Sequence, residues 1–173
     1  MENYSHLKAK IREVKDFPIK GVDFKDITPL LEDKNAFREA IDGLADCFKG
    51  LKVDKVVGID ARGFLLASAV AYLLKAGMVI IRKGGKLPWD TIVREHDLEY
   101  GRGKLEIHTD AIKKGEQVLI IDDVLATGGT AEAAVHLVEQ LGGKILGIGF
   151  LLELSLGGRE RLKRYDVKSL ISY

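Results

Sequence analysis

Asp122 and Asp123 stand side by side directly after four apolar residues, Val118, Leu119, Ile120 and Ile121. Shortly beyond them the chain turns small and polar, at Ala126-Thr127-Gly128-Gly129-Thr130. The apolar run reads as a buried strand. Ala134, Val135, Val138 and Leu141 carry helical spacing, which Gly142-Gly143 ends. The order is therefore strand, glycine loop, helix, and the helix start turns free N–H groups and a positive dipole end towards the loop. Gly128 and Gly129 let an anion approach the backbone, and the hydroxyls of Thr127 and Thr130 are donors, so a phosphate suits the cradle. Two carboxylates would repel that phosphate unless they serve another part of the same ligand: sugar hydroxyls, a divalent cation, or positive charge that develops during reaction. A phosphorylated sugar with a cation-like transition state meets all three demands. An acid pair or a glycine turn alone would be ordinary structure; the fixed order of all three parts singles this stretch out.

Two further strand ends carry polar groups. Lys55–Ile59 reads as a strand ending in Asp60-Ala61-Arg62-Gly63, which opens a helix over Phe64–Lys75. An arginine is disfavoured at a helix start; a bound anion repairs that, and pairing with Asp60 is the simpler alternative. Gly77–Ile81 is the next strand, followed by Arg82-Lys83-Gly84-Gly85-Lys86. In open α/β sheets the ligand crevice lies at such carboxyl ends.

The remaining elements must hold these ends together. Residues 3–15 have apolar spacing at Leu7, Ile11 and Val14 that predicts a short amphipathic helix. Residues 16–31, broken by Pro18, Gly21 and Pro29, read as an arm or loop, in which Phe17 and Phe24 need a core or a planar ligand. A helix is expected over 33–49, with Cys47 as a small core residue. Residues 87–108 interrupt the rhythm with strand-like alternation at Thr91–Val93 and Lys104–His108, an excursion suited to a lid, with Trp89 packed at its base. Lys144–Leu152 reads as a buried strand, 153–158 as a turn, Arg159–Arg164 as a short helix and Val167–Ser172 as a last strand. Strands alternating with helices imply an α/β, doubly wound, mainly parallel sheet.

The chain has 173 residues, enough for one domain. Its 27 basic and 26 acidic residues leave a net charge of +1, so no bulk field favours nucleic acid or a membrane. The single cysteine excludes an internal disulfide and fits a reducing, cytoplasmic setting. No apolar run is long enough to span a bilayer. His6, His96, His108 and His136 lack metal-site spacing and are expected in solvent or structural roles.

The stretch Val118–Thr130 resembles the phosphoribosyl-diphosphate (PRPP) motif of the type I phosphoribosyltransferases. DFP…GV.FKDITPLL, GIDARGF, RK.GKLP, DLEYG…LEIH and FLLEL…LGGRERL extend the likeness over nearly the whole chain and look like the adenine-specific branch of that family. The resemblance implies the type I phosphoribosyltransferase fold as a single domain over 1–173, with a small N-terminal hood (1–31) and a two-stranded flexible lid (87–108). It implies purine salvage: adenine and PRPP give AMP and diphosphate, with Mg²⁺ held mainly by PRPP and waters rather than by direct protein ligands. In that reading Ala126, Thr127, Gly128, Gly129 and Thr130 hold the 5-phosphate, and Asp122 and Asp123 hold the ribose hydroxyls. Ala61, Arg62 and Gly63 receive the diphosphate, with charge from Lys83 and Lys86. Phe24 stacks on adenine, Leu154 packs against it, and backbone groups near Val22 and Lys25 read its edge. Glu99, in the lid with Tyr100, takes the N9 proton directly or through water. A homodimer is implied as well. Lys20 stands where the family often has proline and Lys25 where arginine is common, which touches base-side details only. The alternatives are a phosphoribosyltransferase for a 6-oxopurine (xanthine, hypoxanthine or guanine) and a non-catalytic PRPP-sensing regulator; the second is disfavoured by the missing basic stripe. No P-loop lysine motif occurs, which excludes an ATPase reading of the acidic strand.

Overall fold

The structure is a computed structural model that describes residues 4–98 and 101–173. A 3-10 turn, Ser5–Lys10, buries Leu7 and gives way at Ile11 to strand β1, Arg12–Val14. β1 pairs antiparallel with β2, Phe24–Asp26, placing Val14 opposite Phe24. The helix expected over 3–15 is therefore replaced by a turn and a strand, because the backbone groups past Ile11 find partners across the arm. Residues 16–31 also depart from a plain loop. Helix α1 spans Thr28–Glu32, with Pro29 in the first turn, where its missing N–H is not needed. Asp26 accepts hydrogen bonds from the Thr28 N–H and hydroxyl just ahead of it.

Helix α2, Lys34–Asp46, starts at Asp33, whose carboxylate accepts from the N–H groups of Asn35 and Ala36. Cys47 follows it, half-buried against the core. Strand β3 is Lys55–Ile59, helix α3 Arg62–Leu74 and strand β4 Gly77–Lys83. Strands β5, Thr91–Leu98, and β6, Gly101–His108, form an antiparallel ribbon much longer than the alternation at Thr91–Val93 and Lys104–His108 suggests. Opposite charges across the ribbon, such as Glu95 and Lys104 at 3.0 Å, extend the pairing through its polar part. Trp89, at its foot, is 68% exposed and does not pack there as expected.

Strand β7, Gln117–Leu125, contains the acid pair instead of ending before it, since its neighbour β8, Lys144–Glu153, runs long enough to pair Asp122 with Phe150 and Val124 with Leu152. Helix α4, Gly129–Gln140, follows the glycine loop. Helix α5 covers only Gly158–Arg161, not Arg159–Arg164, and strand β9 is Val167–Ser172.

Seven strands form one sheet in the order β5-β6-β4-β3-β7-β8-β9. The pairs from β4 through β9 are parallel; the ribbon joins antiparallel at Arg82–Glu106 and Lys83–Leu105. Successive residues of a strand face opposite layers. Val56, Leu119 and Ile121 pack with α1, α2 and α3, while Val57, Ile59, Val118 and Ile120 pack with α4. This is the α/β, doubly wound, mainly parallel architecture expected. β3 is followed by β4 on one side and flanked by β7 on the other, so the strand order reverses between them. A crevice opens where such a reversal occurs, and the segments after β3 and β7 are the ones that carry DARG and the glycine loop.

Candidate active site

A cleft of ≈ 1000 Å³ lies over the carboxyl ends of β3, β4 and β7. Asp122, Asp123, Ala126 and Thr130 line it from the acidic strand and its loop. Ala61, Arg62 and Lys83 line it from the neighbouring strand ends, and Val22, Phe24, Lys25 and Leu154 from the hood side. Most of the expected site is thus brought together. Gly63, Lys86, Thr127, Gly128 and Gly129 are not on the wall of the main cleft. Gly129 lines a smaller neighbouring cleft of ≈ 210 Å³ with His96 and His136. Glu99 and Tyr100 lie outside the described residues.

The acids are buried, Asp122 at 8% and Asp123 at 7% exposure. Burial pushes the Asp122 carboxyl well above the ordinary aspartate range, and the charge of Asp123 adds to the effect. Burial raises Asp123 also, against the pull of Arg62. Arg62 Nε is 2.6 Å from Asp123 Oδ2, yet its N–H is not aimed well enough to make a hydrogen bond, so that buried oxygen stays short of a donor. Burial thus disfavours the charged form of both carboxyls in the free fold, a perturbation of the kind that clusters at functional sites.

Arg62 does more than face Asp123. Its Nη1 donates to the Lys25 carbonyl at 3.4 Å, and its guanidinium lies 4.8 Å from the centre of the Phe24 ring. Phe17 meets Phe24 edge-on at 5.2 Å. Pairing of Arg62 with Asp60, the simpler sequence alternative, does not occur. Asp60 Oδ2 instead faces Arg82 Nε at 3.3 Å and Lys86 Nζ at 3.9 Å, and accepts from the Lys83 N–H at 3.4 Å. The peptide between Asp60 and Ala61 is cis.

Close approach explains several glycines. A Cβ on Gly63 would run into the Asp122 carboxylate. Gly128 has φ +85° and backs onto the Gly158 carbonyl, while a Cβ on Gly158 would strike the Ala126 carbonyl. The start of α5 therefore buttresses the glycine loop from behind, a role for LGGRERL that spacing alone did not reveal. Glu106 and Asp60 were missed too. Glu106 alternates with inward Leu105 and Ile107, a pattern that predicts a solvent-facing side chain, and only the loop folded over it buries it. His96 also reaches the main cleft.

Residues 27–172 match the model of the phosphoribosyl transferase domain. The chain is 56% identical over 169 residues to the adenine phosphoribosyltransferase of Alkaliphilus metalliredigens, covering 97% of this chain and 99% of that one. The crystal structure of adenine phosphoribosyltransferase from Thermoanaerobacter pseudethanolicus superposes with a TM-score of 0.94 at 50% identity, covering 97% of this chain and 98% of the other. That of Saccharomyces cerevisiae, complexed with an imino-altritol bisphosphate and adenine, gives a TM-score of 0.89 at 38% identity, over 95% and 96%. Strand ends, buried acid pair, glycine loop and relatives agree: the chain belongs to the phosphoribosyltransferase family, alongside its adenine phosphoribosyltransferases.

Proposed function

We propose that the chain transfers the 5-phosphoribosyl group of PRPP to adenine, releasing AMP and diphosphate in purine salvage. The observation that carries this reading is the buried Asp122–Asp123 pair, set between a glycine-rich helix start and a cationic strand end. One ligand with a phosphate at one end, a sugar in the middle and a diphosphate beside it suits those three parts.

In this reading Ala126, Thr127, Gly128, Gly129 and Thr130 cradle the 5-phosphate at the start of α4. Asp122 and Asp123 accept hydrogen bonds from the ribose 2- and 3-hydroxyls. Their charge also favours the oxocarbenium-like transition state as the bond to diphosphate stretches. Ala61, Arg62 and Gly63 receive the diphosphate, with Lys83 and Lys86 adding charge. Phe24 stacks on adenine, Leu154 closes the far side, and the backbone of Val22 and Lys25 reads its edge. Glu99 takes the N9 proton as N9 attacks the sugar carbon, and Tyr100 accompanies it; their support is the sequence pattern.

Phosphoribosyltransferases generally use Mg²⁺ with PRPP. Among the described residues no group of three or more His, Cys, Asp or Glu side chains is arranged to hold a metal ion. The carboxylate oxygens of Asp122 and Asp123, one of them short of a donor, are hard ligands that suit an ion carried mainly by substrate oxygens and waters. When bound, Mg²⁺ supplies charge neutralisation for the leaving diphosphate.

The chain is read as a single domain over 1–173, with 1–31 as hood and 87–108 as lid. A homodimer is part of the same reading, supported by the outward apolar residues Leu65, Tyr72 and Leu73 on α3, with Tyr72 84% exposed. No helix among the described residues is long and apolar enough to cross a membrane. A cytoplasmic setting agrees with the free thiol of Cys47.

The test is a diphosphate-release assay with PRPP, Mg²⁺ and adenine, hypoxanthine, guanine or xanthine in parallel. Adenine is expected to dominate kcat/KM. Turnover of a 6-oxopurine equal to or above that of adenine overturns the base assignment, and tight PRPP binding with no release for any base overturns catalysis.

A further inference from the structure

Lys83-Gly84-Gly85-Lys86-Leu87 leaves β4 as an exposed loop, yet its backbone is held tightly from below. Glu106, 4% exposed on β6, turns its carboxylate into the loop. Its Oε2 accepts from the Gly85 N–H at 2.9 Å, and its Oε1 accepts from the N–H groups of Lys86 and Leu87, both at 2.7 Å. Three consecutive N–H groups converging on one point, with Gly85 at φ +80°, make an anion nest. Here the anion is the protein's own side chain. The Gly84 N–H donates to the Lys104 carbonyl at 2.9 Å, and Arg82 Nη1 donates to the Lys86 carbonyl at 3.3 Å. The loop is thus fixed to the ribbon on one side and to β4 on the other.

This arrangement settles what Glu106 can and cannot do. Its two carboxylate oxygens accept three backbone N–H groups between them, so its charge is spent first on holding the loop. Burial alone would push its carboxyl up, but the three N–H groups, aided by Arg82, outweigh burial and hold it below the ordinary glutamate range. The nest is also closed to any incoming anion. A diphosphate at this strand end must be met by the side chains of the loop, not by its backbone.

We infer that Glu106 is a positioning residue: by filling the nest it fixes the loop that aims Lys83 and Lys86 at the diphosphate. The inference rests on the assignment of those two lysines given above. It also ties the cation loop to the ribbon, so the strand that forms one arm of the lid sets the charge that meets the leaving group.

The experiment compares Glu106→Gln with wild type and with a Lys83→Ala, Lys86→Ala protein. The glutamine keeps the shape but presents an amide NH₂ to at least one N–H donor. Isothermal titration measures binding of diphosphate and, separately, of AMP, each with Mg²⁺; steady-state assays give kcat and KM; thermal melts check the fold. Misplacing the loop is expected to weaken diphosphate binding and raise KM for PRPP about tenfold. AMP affinity and KM for adenine stay within about twofold, because the phosphate cradle and base pocket do not depend on this loop. Glu106→Asp, which keeps the charge on a shorter stem, recovers part of the loss. Equal loss of AMP and diphosphate affinity marks a general structural defect and overturns the inference. Unchanged diphosphate affinity in Glu106→Gln, with the lysine variant weakened, overturns the positioning role alone. If the lysine variant also binds diphosphate like wild type, the lysine assignment falls and the positioning role falls with it.

Discussion

Two places in this molecule bury carboxylates, and they handle the same difficulty in opposite ways. Glu106 surrounds its charge with three backbone N–H groups and is held below its ordinary range. Asp122 and Asp123 sit almost as deep, with a neighbouring carboxylate and one arginine that aims poorly, and burial holds both above theirs. A buried charge without full hydrogen bonding costs stability. Where the requirement is structural, the chain supplies its own donors. At the acid pair, Asp123 Oδ2 is left without a hydrogen-bond donor, open to the ribose hydroxyls that the proposed function places there.

The contrast predicts opposite responses to neutralisation. The largest effect is on catalysis. Asp123→Asn is expected to lower kcat/KM by about 10²–10³-fold with the fold intact, the range seen when one electrostatic contact to a transition state is removed. Wild-type rates in that variant would remove the ribose role. Next comes Arg62→Ala. It takes away a cation of the proposed diphosphate site, so KM for PRPP is expected to rise about tenfold or more. It also removes the charge that favours ionised Asp122 and Asp123. Their carboxyls then move further up, and the acid limb of the kcat/KM profile for PRPP shifts to higher pH. An unmoved limb would show that these acids do not govern it.

Stability should part the two regions by sign. Asp122→Asn removes a charge the free fold disfavours, and a gain of about 1–2 kcal/mol in unfolding free energy accompanies its loss of activity. Glu106→Ala strands three loop donors that water can partly reach, and about 1 kcal/mol is lost. Urea titration of both variants measures this, and shifts of the same sign would break the comparison. The smallest effect is on acidification. Asp33 is lowered to about 2, chiefly by its contact with Lys10 and by the N–H groups of Ala36 and Asn35. Its folded value lies below the unfolded one near 3.8, so its contribution is complete above about pH 4 and fades as pH falls through 2. The acid pair behaves the other way: raised in the fold, it favours the folded state as pH drops and its carboxyls protonate. Acid melts of wild type and Asp33→Asn should differ above pH 4 and converge near pH 2.

Sequence reading found the end of β3 because Ile59-Asp60 changes from a β-branched apolar residue to a charge in one step, whereas the same change at Ile121-Asp122 falls inside β7. Periodicity separated the core helices for the same reason. It failed in the hood, where Ile11 and Val14 fit a helical stripe but both are extended, Val14 through pairing with Phe24. It failed again at Thr28–Glu32, where Pro29 reads as a breaker but serves as a starter. Within the site, groups that face the ligand announced themselves by type, whereas supports did not. Nothing local marks Glu106 as buried or Gly158 as a buttress, because the loop over the one and the backbone behind the other come from distant segments.

Arg62 spans the cleft, touching Asp123, the Lys25 carbonyl and the Phe24 ring. A phosphoryl oxygen that drew its guanidinium away would loosen these three contacts together. Sugar end and base end are thereby linked through one side chain, and linkage runs equally in both directions. Any factor by which PRPP changes the affinity for a base is also the factor by which that base changes the affinity for PRPP. Substituting Arg62 should bring that factor close to one, leaving two pockets that fill independently.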